Sequence, residues 1–193
     1  MGLRDILTGR HEVKGPAPDR LFAISTAYVS LQAEHQIDPA GAAAIVFQAL
    51  QTSEFEATIR DMEEVVKATG GESATRVQTE DDEFGYRWMV LHNPDGAPSV
   101  EDLAVGINAV SSSIEAAGHG ERLLCAVFAF ADAHDQKVDF IYNYKRGFWY
   151  PFVPAAAQQR STERELQLKA QLADELPIEP ELERWFPLWG IPI

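Results

Sequence analysis

The residues best suited to chemistry in this 193-residue sequence lie between Tyr142 and Phe152, YNYKRGFWYPF, where Lys145, Arg146 and Gly147 are flanked by aromatics. Two cations beside stacking faces suit an anionic or aromatic ligand, or an acidic motif on a partner. Lys145, Arg146, Phe148, Trp149 and Tyr150 are therefore candidate contacts. The plainer reading makes the aromatics core and the Lys-Arg pair the exposed tip of a hairpin, since alternating aromatics in strands are commonly buried.

Other constellations are weaker. His11, His35, His92, His119 and His134 share no metal-ligand spacing, and Asp132, His134 and Asp135 read as a turn. Cys125 sits in the apolar run LLCAVFAFA, where desolvation raises a thiol's pKa, so it reads as core. Ser111-Ser112-Ser113 lies in a helical pattern without a nucleophile elbow, and Gly118-His119-Gly120 marks a helix exit rather than a phosphate cradle. The expectation is no catalytic residue, no metal and no cofactor.

Charge narrows the partners. Thirty acids against 16 Lys and Arg give a net charge of −14, a field that repels polyanions and argues against nucleic acid. Ten acids and three bases fall between Glu54 and Glu83, half of that net charge, and the run Glu80 to Glu83 reads as a charged hairpin end or an electrostatic docking surface. No apolar run is long enough to span a bilayer, no signal peptide opens the chain, and the single cysteine fits a reducing compartment, so a cytoplasmic protein is expected.

The elements that must position these residues follow from periodicity. Residues 1–18 form an amphipathic segment, with Leu3, Ile6 and Leu7 on one helical face, and a Pro/Gly tether; residues 19–193 form one α+β domain. Leu3, Ile6 and Leu7 offer about 3–5 kcal/mol of apolar burial, too little to hold a bilayer alone but enough to aid docking on a protein groove. Ala23 to Leu31 and Ala42 to Leu50 read as strands joined by a turn at Asp38-Pro39-Ala40-Gly41. A helix starts at a Ser53/Glu56 capping box, with Phe55, Ile59, Met62 and Val66 on its apolar face, and stops at Gly70-Gly71. Strands at Thr75 to Thr79 and Tyr86 to His92 precede a helix capped by Ser99, with Leu103, Ile107, Val110 and Ile114 inward. Leu123 to Ala131 is a central strand, and Lys137 to Tyr144 has one buried face. A Thr162/Glu165 capping box opens a helix reaching Leu176, a short helix follows Pro180, and the closing ERWFPLWGIPI must bury its aromatics on this domain or in a partner.

The order strand, helix, strand, strand, helix, strand between Ala42 and Ala131 predicts a split βαβ core with extra strands: a mostly antiparallel sheet with both helices on one face. The fold of type III secretion chaperones is an alternative with the same elements.

Four stretches, MGLRDILTGR, DRLFAISTA, YKRGFWYPF and ELPIEPELERWFPLWG, resemble the PspA-associated protein family PspAB, and their order runs the length of the chain. The resemblance implies association with PspA, a coiled-coil protein coating stressed membranes, or with its partner proteins in a bacterial phage-shock-type response. It implies a cytoplasmic protein, with peripheral contact at the inner face of the membrane, and no enzymatic activity or cofactor. Leu3, Ile6, Leu7 and the 145–150 cluster are the expected partner contacts. The other function class is a sensor or enzyme holding an anionic ligand near Arg146.

Overall fold

The computed structural model describes residues 18–69, 75–94, 98–156 and 158–193, with side chains in the helix that ends at Thr69 described only to Glu64. Leu3, Ile6, Leu7 and Gly70-Gly71 lie outside these residues.

After a helical turn at Pro18–Leu21, the elements are α1 Ile24–His35, β1 Ile37–Gln48, α2 Ser53–Thr69, β2 Arg76–Asp81, β3 Tyr86–His92, α3 Val100–Ala116, β4 Leu123–Asp132, β5 Lys137–Asn143, β6 Phe148–Phe152, the two-residue strands β7 Pro154–Ala155 and β8 Gln159–Arg160, and α4 Thr162–Gln171. Strands β1 to β6 form a sheet in the order β2-β3-β1-β4-β5-β6, antiparallel throughout. Its first four strands interleave two βαβ units, β1–α2–β2 and β3–α3–β4, as the split βαβ reading expects. The fold is α+β.

The N-terminal strand pair is corrected in two ways. Ala23 to Leu31 belongs to α1, because Ile24, Ala27 and Leu31, spaced three and four apart, are its buried residues. A short apolar run beside a turn-like Asp-Pro-Ala-Gly reads as a strand, but the three-four periodicity prevails. Asp38-Pro39-Ala40-Gly41 is no turn between strands. It lies inside β1, where the register with β4 slips between Pro39 and Ala43 and Gly41 takes φ +72, a bulge that absorbs the proline.

Two capping boxes also resolve differently. At α2 the Thr52 hydroxyl accepts the Phe55 N–H at 3.3 Å, one residue earlier than expected, and the Glu56 carboxylate instead grips Arg87. At α4 Glu165 turns inward, accepting the Val153 N–H at 2.9 Å and the Arg160 Nε–H at 2.8 Å. Ser99 caps α3 as expected, accepting the Asp102 N–H at 3.1 Å. Gly118, at φ +80, and His119, whose N–H reaches back to Ile114, end it.

Both sheet faces are apolar. Ile45, Phe47, Met89, Phe128, Phe140 and Tyr142 pack against Ile24, Leu31, Phe55, Ile59, Leu103 and Ile107, so α1, α2 and α3 share one face. Ala44, Val46, Trp88, Val90, Val127, Ile141, Tyr150 and Phe152 point the other way and meet Trp185, Leu188, Ile191 and Ile193. The aromatic tail therefore covers its own domain. It joins the sheet edge through a parallel bridge from Ile178 to Trp149, crosses that face, and ends where Lys137 Nζ donates to the Ile193 oxygen at 2.8 Å.

Strand β5 is buried on both faces rather than one. Asp139 is fully buried on the tail side, neither carboxylate oxygen has a hydrogen-bond partner among the described residues, and Lys137 Nζ lies 3.7 Å from Oδ2. Burial lifts its carboxyl to about 7, with Lys137 pulling weakly the other way. In the unfolded chain this carboxyl ionises near the ordinary value of about 3.9, so the contribution of this one group to stability is fullest below that pH and is lost as pH rises toward 7.

Asp139→Asn is thus expected to gain stability over wild type by about 2–3 kcal/mol between pH 5 and pH 8, read from urea unfolding; a difference that stays constant with pH contradicts it. Trp185→Ala, which uncovers the tail face, is expected to cost about 3–5 kcal/mol in the same assay.

Candidate functional site

The sheet pairing brings four residues from four strands into one row on the tail side: Trp88 opposes Val46, Val46 opposes Cys125, and Cys125 opposes Asn143. Between Val46 and Phe47 the β4 register advances two residues for one of β1, so Leu124 is a bulge residue and joins Cys125 on this side. The row floors a cleft of about 830 Å³, walled by Asp82 to Phe84 and Tyr86 at the β2–β3 turn, Lys145 after β5, Tyr150 on β6, and Phe186 to Gly190 of the tail. Phe84 is 76% and Phe186 58% exposed at its mouth, an uncommon placement for large aromatics.

Hydrogen bonds hold the walls. Asp82 Oδ1 accepts the N–H groups of Phe84 and Tyr86 at 2.9 Å each, and Oδ2 accepts Trp88 Nε1–H at 3.0 Å. Arg87 donates to both oxygens of Asp81 and both of Glu56, tying the turn to α2; its bond and charge hold Asp81 below the usual carboxylate range. The acidic run thus divides into two acids that build the turn and two, Glu80 and Glu83, with no partner among the described residues. On the tail, Tyr150 donates its hydroxyl proton to Phe186 O at 3.1 Å and stacks on Trp185, while Arg160 Nη1 donates to Trp185 O at 2.6 Å.

The 145–150 cluster is split among different tasks. Arg146 donates to Glu179 through Nε and Nη2 at 2.7 and 2.9 Å and to Glu181 at 3.1 Å. Desolvation is the largest single influence on Glu179 and opposes its ionisation, yet the bond and charge of Arg146 together with the Glu181 N–H outweigh it and keep that carboxyl low. Trp149 is fully buried on the helix side, where its Nε1–H bonds Arg20 O at 2.7 Å. Tyr150 is buried beneath the tail, and Phe148, partly exposed, carries the Arg20 guanidinium 4.9 Å from its ring centre. Lys145 alone of the five is an exposed cleft wall.

Sequence reasoning missed the floor, because the row Trp88–Val46–Cys125–Asn143 exists only through pairing across some hundred residues. Phe84 and Tyr86, flanking Gly85 beside an acidic run, were the local signal available. Chemically the cleft offers aromatic faces, two unpaired acids near one wall and an amine on the other. Among the described residues, no group of three or more His, Cys, Asp and Glu could hold a metal ion. Cys125 borders the cleft but is 9% exposed, and burial pushes its thiol up to about 12. At pH 8 its thiolate is scarce, so native protein is expected to react with a thiol reagent about 10³-fold more slowly than urea-unfolded protein; equal rates overturn this.

No curated protein and no solved structure matches the chain. The model of the family described as PspAB, PspA associated protein B, matches residues 1–193. As the four sequence blocks imply, and over its whole length, the chain belongs to the PspAB family.

Proposed function

We propose that this protein is a non-enzymatic adaptor that docks on PspA in a bacterial phage-shock-type membrane stress response, working in the cytoplasm at the inner face of the membrane. The observation that carries the reading is the open aromatic cleft, rimmed by exposed Phe84 and Phe186, in a chain whose family description names an association and not a reaction. Exposed apolar rims of this kind mark protein contact sites.

Leu3, Ile6 and Leu7 supply a second contact, and Lys145 with Phe148 a third on the adjoining turn. Among the described residues no helix is long and apolar enough to cross a membrane, so membrane contact in this reading is peripheral and runs through PspA. The anionic-ligand reading near Arg146 loses the cation it was built on, since Glu179 and Glu181 already match that guanidinium.

Deleting residues 1–10 is expected to leave the melting temperature within about 2 °C of wild type while weakening capture of purified PspA several-fold. A large fall in melting temperature would place Leu3, Ile6 and Leu7 in the domain's own core. Unchanged capture would remove them from the contact surface.

A further inference from the structure

The cleft has the dimensions of a helix seat. Its floor spans β3, β1, β4 and β5, three inter-strand steps of about 4.8 Å, or roughly 14 Å from Trp88 to Asn143. An α-helix with side chains is about 10–12 Å across. The floor carries no charge, whereas the two sides differ: Glu83 in the β2–β3 turn, with Glu80 opposite Trp88 on the neighbouring strand, faces Lys145 beyond β5. All three are exposed and have no side-chain partner among the described residues.

The geometry points to this cleft as the docking groove for an amphipathic helix of a partner protein, its apolar stripe bordered by Lys or Arg on the flank that meets Glu80 and Glu83. The apolar stripe faces the floor of Trp88, Val46 and Cys125, of which only small edges are exposed, and makes most of its contact with the exposed rings of Phe84 and Phe186, while the basic flank gains both carboxylates and aromatic faces. Lys145 sets the orientation by favouring an acidic opposite flank.

Other occupants fit less well. A small molecule is normally enclosed by convergent polar groups, but here Asp82 is consumed by the turn and the exposed rings of Phe84 and Phe186 stand at the mouth. An anionic lipid surface meets the acidic wall and a chain of net charge −14. The inference rests on the adaptor reading for the partner's identity, though not for the chemistry of the groove.

Two probes separate these levels: an 18-residue helical Leu/Lys peptide beside its Leu/Glu counterpart, and purified PspA, each titrated into the full chain while tryptophan fluorescence is followed. The Leu/Lys peptide is expected to bind at least tenfold more tightly than the Leu/Glu peptide. The doubly substituted F84D/F186D chain, altered only at exposed positions, is expected to lose tenfold or more with its melting temperature retained. Glu83→Lys, which leaves the aromatics in place, is expected to weaken Leu/Lys binding and narrow the preference between the peptides. Absence of binding, equal affinity for both peptides, or affinity unchanged in these variants overturns the groove. If the Leu/Lys peptide binds as expected but PspA does not bind wild type, the groove stands and the adaptor reading falls. If PspA binds wild type and both variants equally, the adaptor reading stands and the groove is overturned.

Discussion

A sheet with two apolar faces has to be covered twice, and most of this structure follows from how the second covering is made. Helices α1 to α3 shield one side in the ordinary way of a split βαβ core. The other side carries Val46, Trp88, Val127, Ile141, Tyr150 and Phe152, and its cover is an irregular tail with few backbone bonds of its own. That tail must therefore be held by side chains. Arg160 bonds Trp185 O, Arg146 grips Glu179 and Glu181, Trp185 Nε1–H bonds Glu179 O, and the Trp149 N–H and C=O pair with Pro177 and Glu179. Each bond is modest, but together they satisfy backbone groups that burial would otherwise leave orphaned.

This arrangement explains why the candidate site lies where it does. The tail spans the deeper row, Val90–Ala44–Val127–Ile141–Tyr150, and leaves the row nearer the β2–β3 turn only walled. The cleft is thus the part of the second face that the cover does not fill. Glu165 shows how far the frame depends on paired charge: burial raises its carboxyl, yet it accepts from both Val153 and Arg160 and so links α4 to the sheet edge and, through Arg160, to the tail.

The fold was legible where periodicity was strong and local. Phe55–Ile59–Met62 and Leu103–Ile107–Val110 announced their helices, and the unbroken run at Leu123 announced a central strand. The reading failed at AISTAYVSL, where a short apolar run beside a turn-like segment masked a three-four spacing, and at Pro39, whose bulge no local rule distinguishes from a turn. It failed again at Asp139, because an acid alternating with apolar residues predicts solvent unless a distant segment returns to cover it. The tail is that segment, and its path over the sheet is a tertiary fact. For the same reason Arg146 looked like a free ligand-binding cation, since its partners lie 33 and 35 residues away. The aromatic tail and the acidic turn were both conspicuous in sequence, but their meeting across the sheet was not.

The distribution of paired and unpaired charge then decides what kind of partner this surface admits. Arg20 lies on Phe148 and bonds Gly147, Arg87 holds Asp81 and Glu56, Arg146 holds the tail, and Arg160 holds Glu165, so these guanidinium groups are spent on the frame. Arg87, Arg146 and Arg160 each neutralise acids that also belong to the frame, Arg20 bonds a carbonyl and a ring instead, and Glu80 and Glu83, the acids of the turn with no partner among the described residues, face solvent. The outward field is consequently negative even where the local chemistry is aromatic. Such a surface slows the approach of phosphates and anionic headgroups and speeds that of basic protein segments, before any apolar contact forms. In the proposed groove, selection by charge and retention by aromatic area would be separable properties of neighbouring residues, Glu80 and Glu83 setting encounter and Phe84 and Phe186 the lifetime of the complex.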